Sequence, residues 1–233
     1  LYVAACKKVV KADGDQTAVK VKFDACTPLL KWAQEKGLKV HGHTLVWHSQ
    51  TPKAFYHEDS ATTKPLASRD VMLARMENYI RQVLTWTEEN YPGVIVSWDV
   101  VNEAAADSGR KLRDSLWTQV VGEDFINRAF EYARKYAAPH VKLYYNDYNS
   151  EMTMKALVTR DIVDSLIEDG TIDMEQFQDA ALGAGEGIMG TYEATASWPE
   201  KWELLKNKAK EFLEPLAGAL MDSLGMALDK LNE

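Results

Sequence analysis

The sequence predicts an α/β fold in which a parallel sheet is covered by helices. Three observations carry this. Short apolar runs alternate along the chain with segments whose apolar residues recur at helical spacing. The runs are apolar at consecutive positions, as strands buried on both faces must be. Three of them end in a cluster of polar and aromatic side chains, the arrangement expected where strand ends build a site.

The elements follow in order. Residues 1–20 offer little beyond a short apolar run and a turn at Gly14. Residues 27–36 set Leu29, Leu30 and Ala33 on one helical face and stop at Gly37, a C-terminal signal. A strand is expected over 38–43. Ser68 then caps a helix in which Met72, Met76, Ile80, Val83 and Leu84 recur at helical spacing, ending near Pro92-Gly93. A strand over 94–98 leads to a helix over about 123–136, which presents Phe125, Ala129, Phe130 and Ala133. A strand over 141–145 and a helix over about 154–168 complete the regular part. The strands end about 55 and 47 residues apart, longer than a minimal crossover, so the connecting loops are enlarged. Beyond them one further strand is expected around Ile188–Tyr192. From Trp198 the chain reads as helical, with Leu204, Leu205, Ala209, Phe212 and Leu213 on one face and a break at Pro215. The expected organisation is a single domain over 1–233, with a core over 21–173 and a helical tail over 198–233 packed on it.

Composition narrows the partners. The chain has 233 residues, 46% hydrophobic and 27% charged, which is ordinary for a globular protein. Its net charge of -8 argues against nucleic acid or an anionic membrane as partner, since both attract basic surfaces. Zinc-ligand spacing is absent, and neither a metal nor a cofactor is expected. Cys6 and Cys26 can pair in an oxidising compartment, but two cysteines fix neither the compartment nor the bond. No stretch reaches the ~18 apolar residues of a membrane-spanning helix, and no basic-then-apolar leader opens the chain. It reads as a soluble, mature or recombinant form.

The clusters at the strand ends carry the chemistry. The first is His43-Thr44-Leu45-Val46-Trp47-His48-Ser49-Gln50, the second Trp98-Asp99-Val100-Val101-Asn102-Glu103, and the third Tyr144-Tyr145-Asn146-Asp147-Tyr148-Asn149. Any one alone reads as a capped loop. Three at equivalent positions of successive parallel strands converge on one mouth. Glu103 stands just past an apolar strand, where partial desolvation favours the neutral acid that can donate a proton to a leaving-group oxygen. Asn102 can hydrogen-bond a sugar hydroxyl, His43 and Gln50 add donors and acceptors, and Trp47 offers a flat wall.

At these residues the sequence resembles the endo-β-1,4-xylanases of glycoside hydrolase family 10. Residues 42–52 resemble that family's third-strand signature, Trp98–Glu103 its fourth-strand motif, and Tyr145–Asn149 its fifth-strand loop. Phe23-Asp24 and Val121-Gly122-Glu123 are lesser matches. The resemblance implies a (β/α)8 barrel, with retaining hydrolysis of xylan and a second carboxylate as nucleophile about 5–5.5 Å from the first. It implies Glu103 as general acid/base and Asn102 as partner of the sugar 2-hydroxyl. His43, Trp47 and His48 are implied as sugar-binding side chains, Lys11 as the lysine closing the second strand, and Tyr148 as part of the aglycone-side loop. It also implies secretion, since xylan is too large to enter cells.

Downstream the pattern departs from the family's. The sixth-strand pattern Gly-x-Gly-Met-Gln-x-His meets Gly185-Glu186-Gly187-Ile188-Met189-Gly190-Thr191, with Met189 and Thr191 where Gln and His stand in the family. The seventh-strand run that supplies the nucleophile is missing, which leaves Glu233, one position late, as a weak candidate and Glu186 and Glu193 as substitutes without a motif. Three arrangements are compatible with this: a truncated or recombined barrel, a designed or rearranged protein with capped strands, and a barrel completed by a second copy through its open sheet edge. Two functional readings stay open, a xylanase and a barrel fragment or scaffold that at most binds xylo-oligosaccharide.

Overall fold

The computed structural model describes residues 6–8, as backbone, and residues 15–171. All belong to the first of the two units into which the chain divides, Leu1–Ile172. Lys11, Glu186, Glu193, Glu233, the strand expected around 188–192 and the helical tail lie outside the described residues, as does the side chain of Cys6 on which a Cys6–Cys26 bond depends.

Two short strands open the unit. β1 (Cys6–Lys8) and β2 (Lys20–Lys22) pair antiparallel, with Lys7 opposite Val21. α1 (Thr27–Glu35) follows, with Pro28 in its first turn and Leu30 and Ala33 fully buried. It ends where Leu38 N–H reaches back to the Ala33 carbonyl at 2.9 Å, across Gly37 at φ 65°.

β3 (Val40–Trp47) runs four residues past the expected end. After it, two 3-10 turns at Lys53–Tyr56 and Glu58–Ser60 are tied down by the buried Arg75 guanidinium. Its N–H groups donate to the carbonyls of Phe55 at 2.6 Å and His57 at 2.9 Å, so its burial is matched by acceptors. α2 (Arg69–Asn90) begins where Ser68 Oγ accepts from Val71 N–H, and its Met72, Met76, Ile80, Val83 and Leu84 are buried as the spacing predicts.

β4 (Ile95–Asn102) likewise runs four residues past its expected end and is almost wholly buried. A short helix that periodicity does not reveal, α3 (Leu116–Val120), starts at a capping box between Ser115 and Thr118. α4 (Phe125–Tyr136) packs its Phe125, Ala129, Phe130 and Ala133 face inward and lies against α2. β5 (Lys142–Asn146) and α5 (Thr153–Glu168) complete the described chain.

The sheet has the order β3-β4-β5 and both pairings are parallel. Close packing at one point sets its shape. A Cβ on Gly42 would stand 2.3 Å from the ring carbons of the buried Trp98, so only glycine lets β3 pass that indole.

Candidate active site

The strand ends stand in register. Trp47 lies opposite Asn102 and Asn102 opposite Asn146, while an earlier row joins His43, Asp99 and Tyr144. Three segments far apart in sequence thus deliver their polar clusters to one edge of the sheet.

The earlier row is organised by Asp99, a buried carboxylate. Its Oδ2 lies 2.7 Å from His43 Nδ1 and 3.0 Å from His41 Nε2, and His41 Nδ1 lies 2.7 Å from Ser97 Oγ. The His43 ring is therefore held by a carboxylate that is itself fixed in the strand.

Glu103 is the residue immediately after β4, and its backbone is left-handed at φ 56°. That conformation is costly for a side chain with a Cβ and persists only when neighbours enforce it. Here its N–H donates to the Asn146 carbonyl at 2.8 Å and its carbonyl accepts from Arg113 Nε at 3.1 Å. The carboxyl Oε2 accepts from Trp47 Nε1 at 2.9 Å. Trp47 is anchored in turn, its carbonyl accepting from Thr51 Oγ1 at 2.7 Å and from Trp117 Nε1 at 3.4 Å. Asn102 is buried, its amide bonded to that of Asn146 at 2.8 Å. Turned about, the Asn102 amide presents its oxygen to Trp47 Nε1 at 3.1 Å. A small pocket of about 10 Å³ lies beside these groups, lined by Trp47, His48, Asn102, Glu103, Arg113 and Trp117. Burial first, and the Arg113 charge second, pull the pKa of His48 below its ordinary value of 6.5, so His48 is neutral at pH 7.

A second group of polar side chains backs the Glu103 turn. Arg113 grips Asp107 with two N–H groups at 2.9 and 3.1 Å and donates to the Ala105 carbonyl at 3.2 Å and to Tyr148 Oη at 3.1 Å. Asp107 is held well below the usual carboxylate range, by the Arg113 bonds first and by the Tyr148 hydroxyl second. Asp147 accepts from the Tyr145 hydroxyl at 2.5 Å, from Ala105 N–H at 3.1 Å and from Lys155 Nζ at 2.8 Å. Burial first and the Asp147 carboxylate second push the Tyr145 hydroxyl far above its ordinary pKa.

The residues expected from sequence thus divide. Glu103, Asn102, Trp47 and His48 are assembled around one space, with His43 on the adjoining row. Tyr148 is half-exposed and joins the second group, and Gln50 is exposed on the turn beyond β3. Asp99, Arg113, Asn146, Asp147 and Lys155 were not singled out. For Asp99 and Ser97 a signal existed, polar residues alternating along a strand opposite the equally alternating His41 and His43. Among the described residues no cluster of three or more His, Cys, Asp or Glu side chains is arranged to hold a metal ion.

Parallel strands alternating with helices, and a carboxylic acid set past a strand's C-terminal end among indole and amide donors, define an α/β protein with a polar, aromatic mouth at its strand ends. The sequence narrows the class further. The profile of glycosyl hydrolase family 10 matches residues 5–182, and the chain belongs to that family. The three parallel strands and their helices are accordingly part of a (β/α)8 barrel. A putative endo-1,4-β-xylanase of Caldicellulosiruptor saccharolyticus is 45% identical over 154 residues, which cover 65% of this chain and 49% of that protein. Endo-1,4-β-xylanase B of Butyrivibrio fibrisolvens is 47% identical over 152 residues, covering 65% of this chain and 24% of that one. Among solved structures, the family 10 module of a Clostridium thermocellum endo-1,4-β-D-xylanase complexed with xylohexaose superposes with a TM-score of 0.65 at 34% identity, covering 70% of this chain and 35% of that one. An intracellular xylanase from Thermoanaerobacterium saccharolyticum gives 0.61 at 38% identity, covering 69% and 48%. The chain thus spans half or less of the length of the relatives it matches.

Proposed function

We propose that this chain carries the acid/base half of a retaining endo-1,4-β-xylanase site, with Glu103 as general acid and base. One observation carries the reading. The Glu103 carboxyl is fixed by the Trp47 indole at 2.9 Å, beside buried Asn102, past the C-terminal end of a parallel strand. In retaining hydrolysis the acid gives its proton to the glycosidic oxygen while a second carboxylate attacks the anomeric carbon. The resulting carboxylate then takes a proton from the water that frees the sugar. The indole N–H on Oε2 orients the carboxyl without supplying a competing proton.

In this reading Asn102 bonds the sugar 2-hydroxyl, His43, Trp47 and His48 line the sugar side, and Tyr148 the aglycone side. Lys11 and Gln50 are further proposed contacts, and Glu233 is the proposed nucleophile, with Glu186 and Glu193 as substitutes. The names of the relatives and the xylohexaose in one neighbour support xylan as substrate. Polymeric xylan places the action outside the cell, whereas a copy retained inside acts on xylo-oligosaccharides.

Release of reducing sugar from soluble xylan tests the proposal. Glu103→Ala is expected to lose about 10²–10⁴-fold of the activity while remaining folded. A 2-fluoro-xylobioside that traps the covalent intermediate, followed by peptide mass mapping, is expected to label one carboxylate within residues 172–233. Folded protein that releases no sugar and takes no label, yet binds xylotriose, would establish the binding-only reading instead. Association of two copies is a separate proposal. Among the described residues β5 has a hydrogen-bonded neighbour on one side only. Sedimentation at rising concentration distinguishes monomer from dimer.

A further inference from the structure

Lys155 stands where a lysine is rarely found. It is 2% exposed and is the one lysine buried among the described residues. Taking an ammonium out of water is unfavourable unless charges and acceptors surround it. Among the described residues, the charged and aromatic groups that face it come from two loops, those that follow β4 and β5. Nζ lies 2.8 Å from Asp147 Oδ1 and 3.4 Å from Asp107 Oδ1, and 3.4 Å above the Tyr148 ring centroid. The Asp147 side chain is itself 1% exposed. Burial lowers the Lys155 pKa, but the bond and charge of Asp147, with Asp107 and Tyr148, more than offset this, so the ammonium stays charged.

The ion pair has a second end. Asp147 receives Lys155 and the Tyr148 N–H on Oδ1, and with Oδ2 it accepts the Ala105 N–H at 3.1 Å and the Tyr145 hydroxyl at 2.5 Å. Ala105 is two residues beyond Glu103, on the turn that keeps Glu103 left-handed, and Arg113 closes the other side through the Glu103 and Ala105 carbonyls. The chain of contacts runs from α5, through a buried carboxylate, to the backbone that aims the proposed acid.

We infer that Lys155 is a positioning residue for Glu103: paired with Asp147, it holds the Glu103–Ala105 turn and thereby the bond between the Glu103 carboxyl and Trp47. The inference rests on Glu103 as the acid of the proposed reaction, but its central test needs no turnover. The indole N–H resonance of Trp47 senses ionisation of Glu103, and Glu103→Gln identifies that step by abolishing it.

In folded Lys155→Met, which keeps length and apolar bulk but no charge, the step is expected to move by about half a pH unit or more, or to lose amplitude, as the carboxyl drifts from the indole. The Ala105 amide should exchange with deuterium at least about tenfold faster, while amides of α2 keep their protection. Lys155→Arg, which retains the charge, should restore part of both. On xylan, kcat of Lys155→Met is expected to fall about 10- to 100-fold with KM nearly unchanged, and less on an aryl xylobioside whose leaving group needs no protonation. Should Lys155→Met fail to fold, Asp147→Asn supplies the same comparison. An unchanged Trp47 step and unchanged Ala105 exchange in a folded variant overturn the inference. A wild-type protein that shows the Trp47 response but releases no sugar overturns the catalytic reading alone.

Discussion

At the scale of single residues, the site is a set of side chains each held by another. Glu103 leans on Trp47, Trp47 on Thr51 and Trp117, and His43 on Asp99. His48 is the residue whose titration is most open to measurement. Its folded pKa lies below 6.5, burial being the main cause, so the unfolded chain binds the proton more readily as pH falls through 6.5. The stability it lends is full above 6.5 and is lost towards the lower folded value. A proton NMR titration should place the His48 midpoint below 6.5, and a midpoint at or above it would remove neutral His48 from the proposed sugar-binding set. The side chains gathered at the strand ends were legible in sequence because they sit in dense runs. Lys155 and Arg113 were not. A lysine at helical spacing reads as solvent-facing, and nothing in periodicity says that Asp147 lies beside it.

At the scale of elements, β3 and β4 overran their expected ends by four residues each. The apolar runs stop at His43 and Trp98, but ladder hydrogen bonds join backbones and are indifferent to side-chain polarity. Pairing therefore continues to Trp47 opposite Asn102, which lifts the polar clusters onto the rim of the sheet. The four longer helices, with periodic apolar faces and clear stop signals, were placed within about two residues. α3, the 3-10 turns and the β1–β2 pair were too short for a period to show. Gly42→Ala tests the tightest contact between elements. With a buried indole 2.3 Å from the new methyl, the change is expected to cost about 1–3 kcal/mol in urea unfolding, and full stability would mean that β3 and β4 part without penalty.

At the scale of the whole molecule, the ion pairs set the response to acid. Asp124, held down chiefly by Arg69, and Asp161, held down chiefly by Arg110, lie below their ordinary 3.8, and Glu77, held down by Lys135, lies below 4.5. Each contributes stability above its unfolded value and loses it as pH falls through the folded one. Asp164, raised mainly by burial, works in the opposite sense. The urea midpoint should fall only slightly from pH 7 to 5, by the loss that His48 brings below 6.5, and drop steeply below about 4.5, less so in Arg69→Gln. A midpoint that keeps rising below pH 4 would contradict this. These pairs lie between segments about 50 residues apart in sequence, so no reading of neighbours along the chain finds them. The parallel sheet was legible all the same, because alternation of two-faced apolar strands with one-faced helices admits few other arrangements.

The left-handed backbone at Glu103 sets two kinds of selection against each other. Glycine alone occupies φ 56° without penalty, so Glu103→Gly should unfold at about 1 kcal/mol higher stability than Glu103→Ala. A library of variants sorted only for heat resistance would therefore enrich the change that deletes the proposed acid, and on that proposal a thermostable descendant bred that way would arrive mute. Breeding for heat and for sugar release must go together, because at this position the most comfortable residue and the useful one are different amino acids.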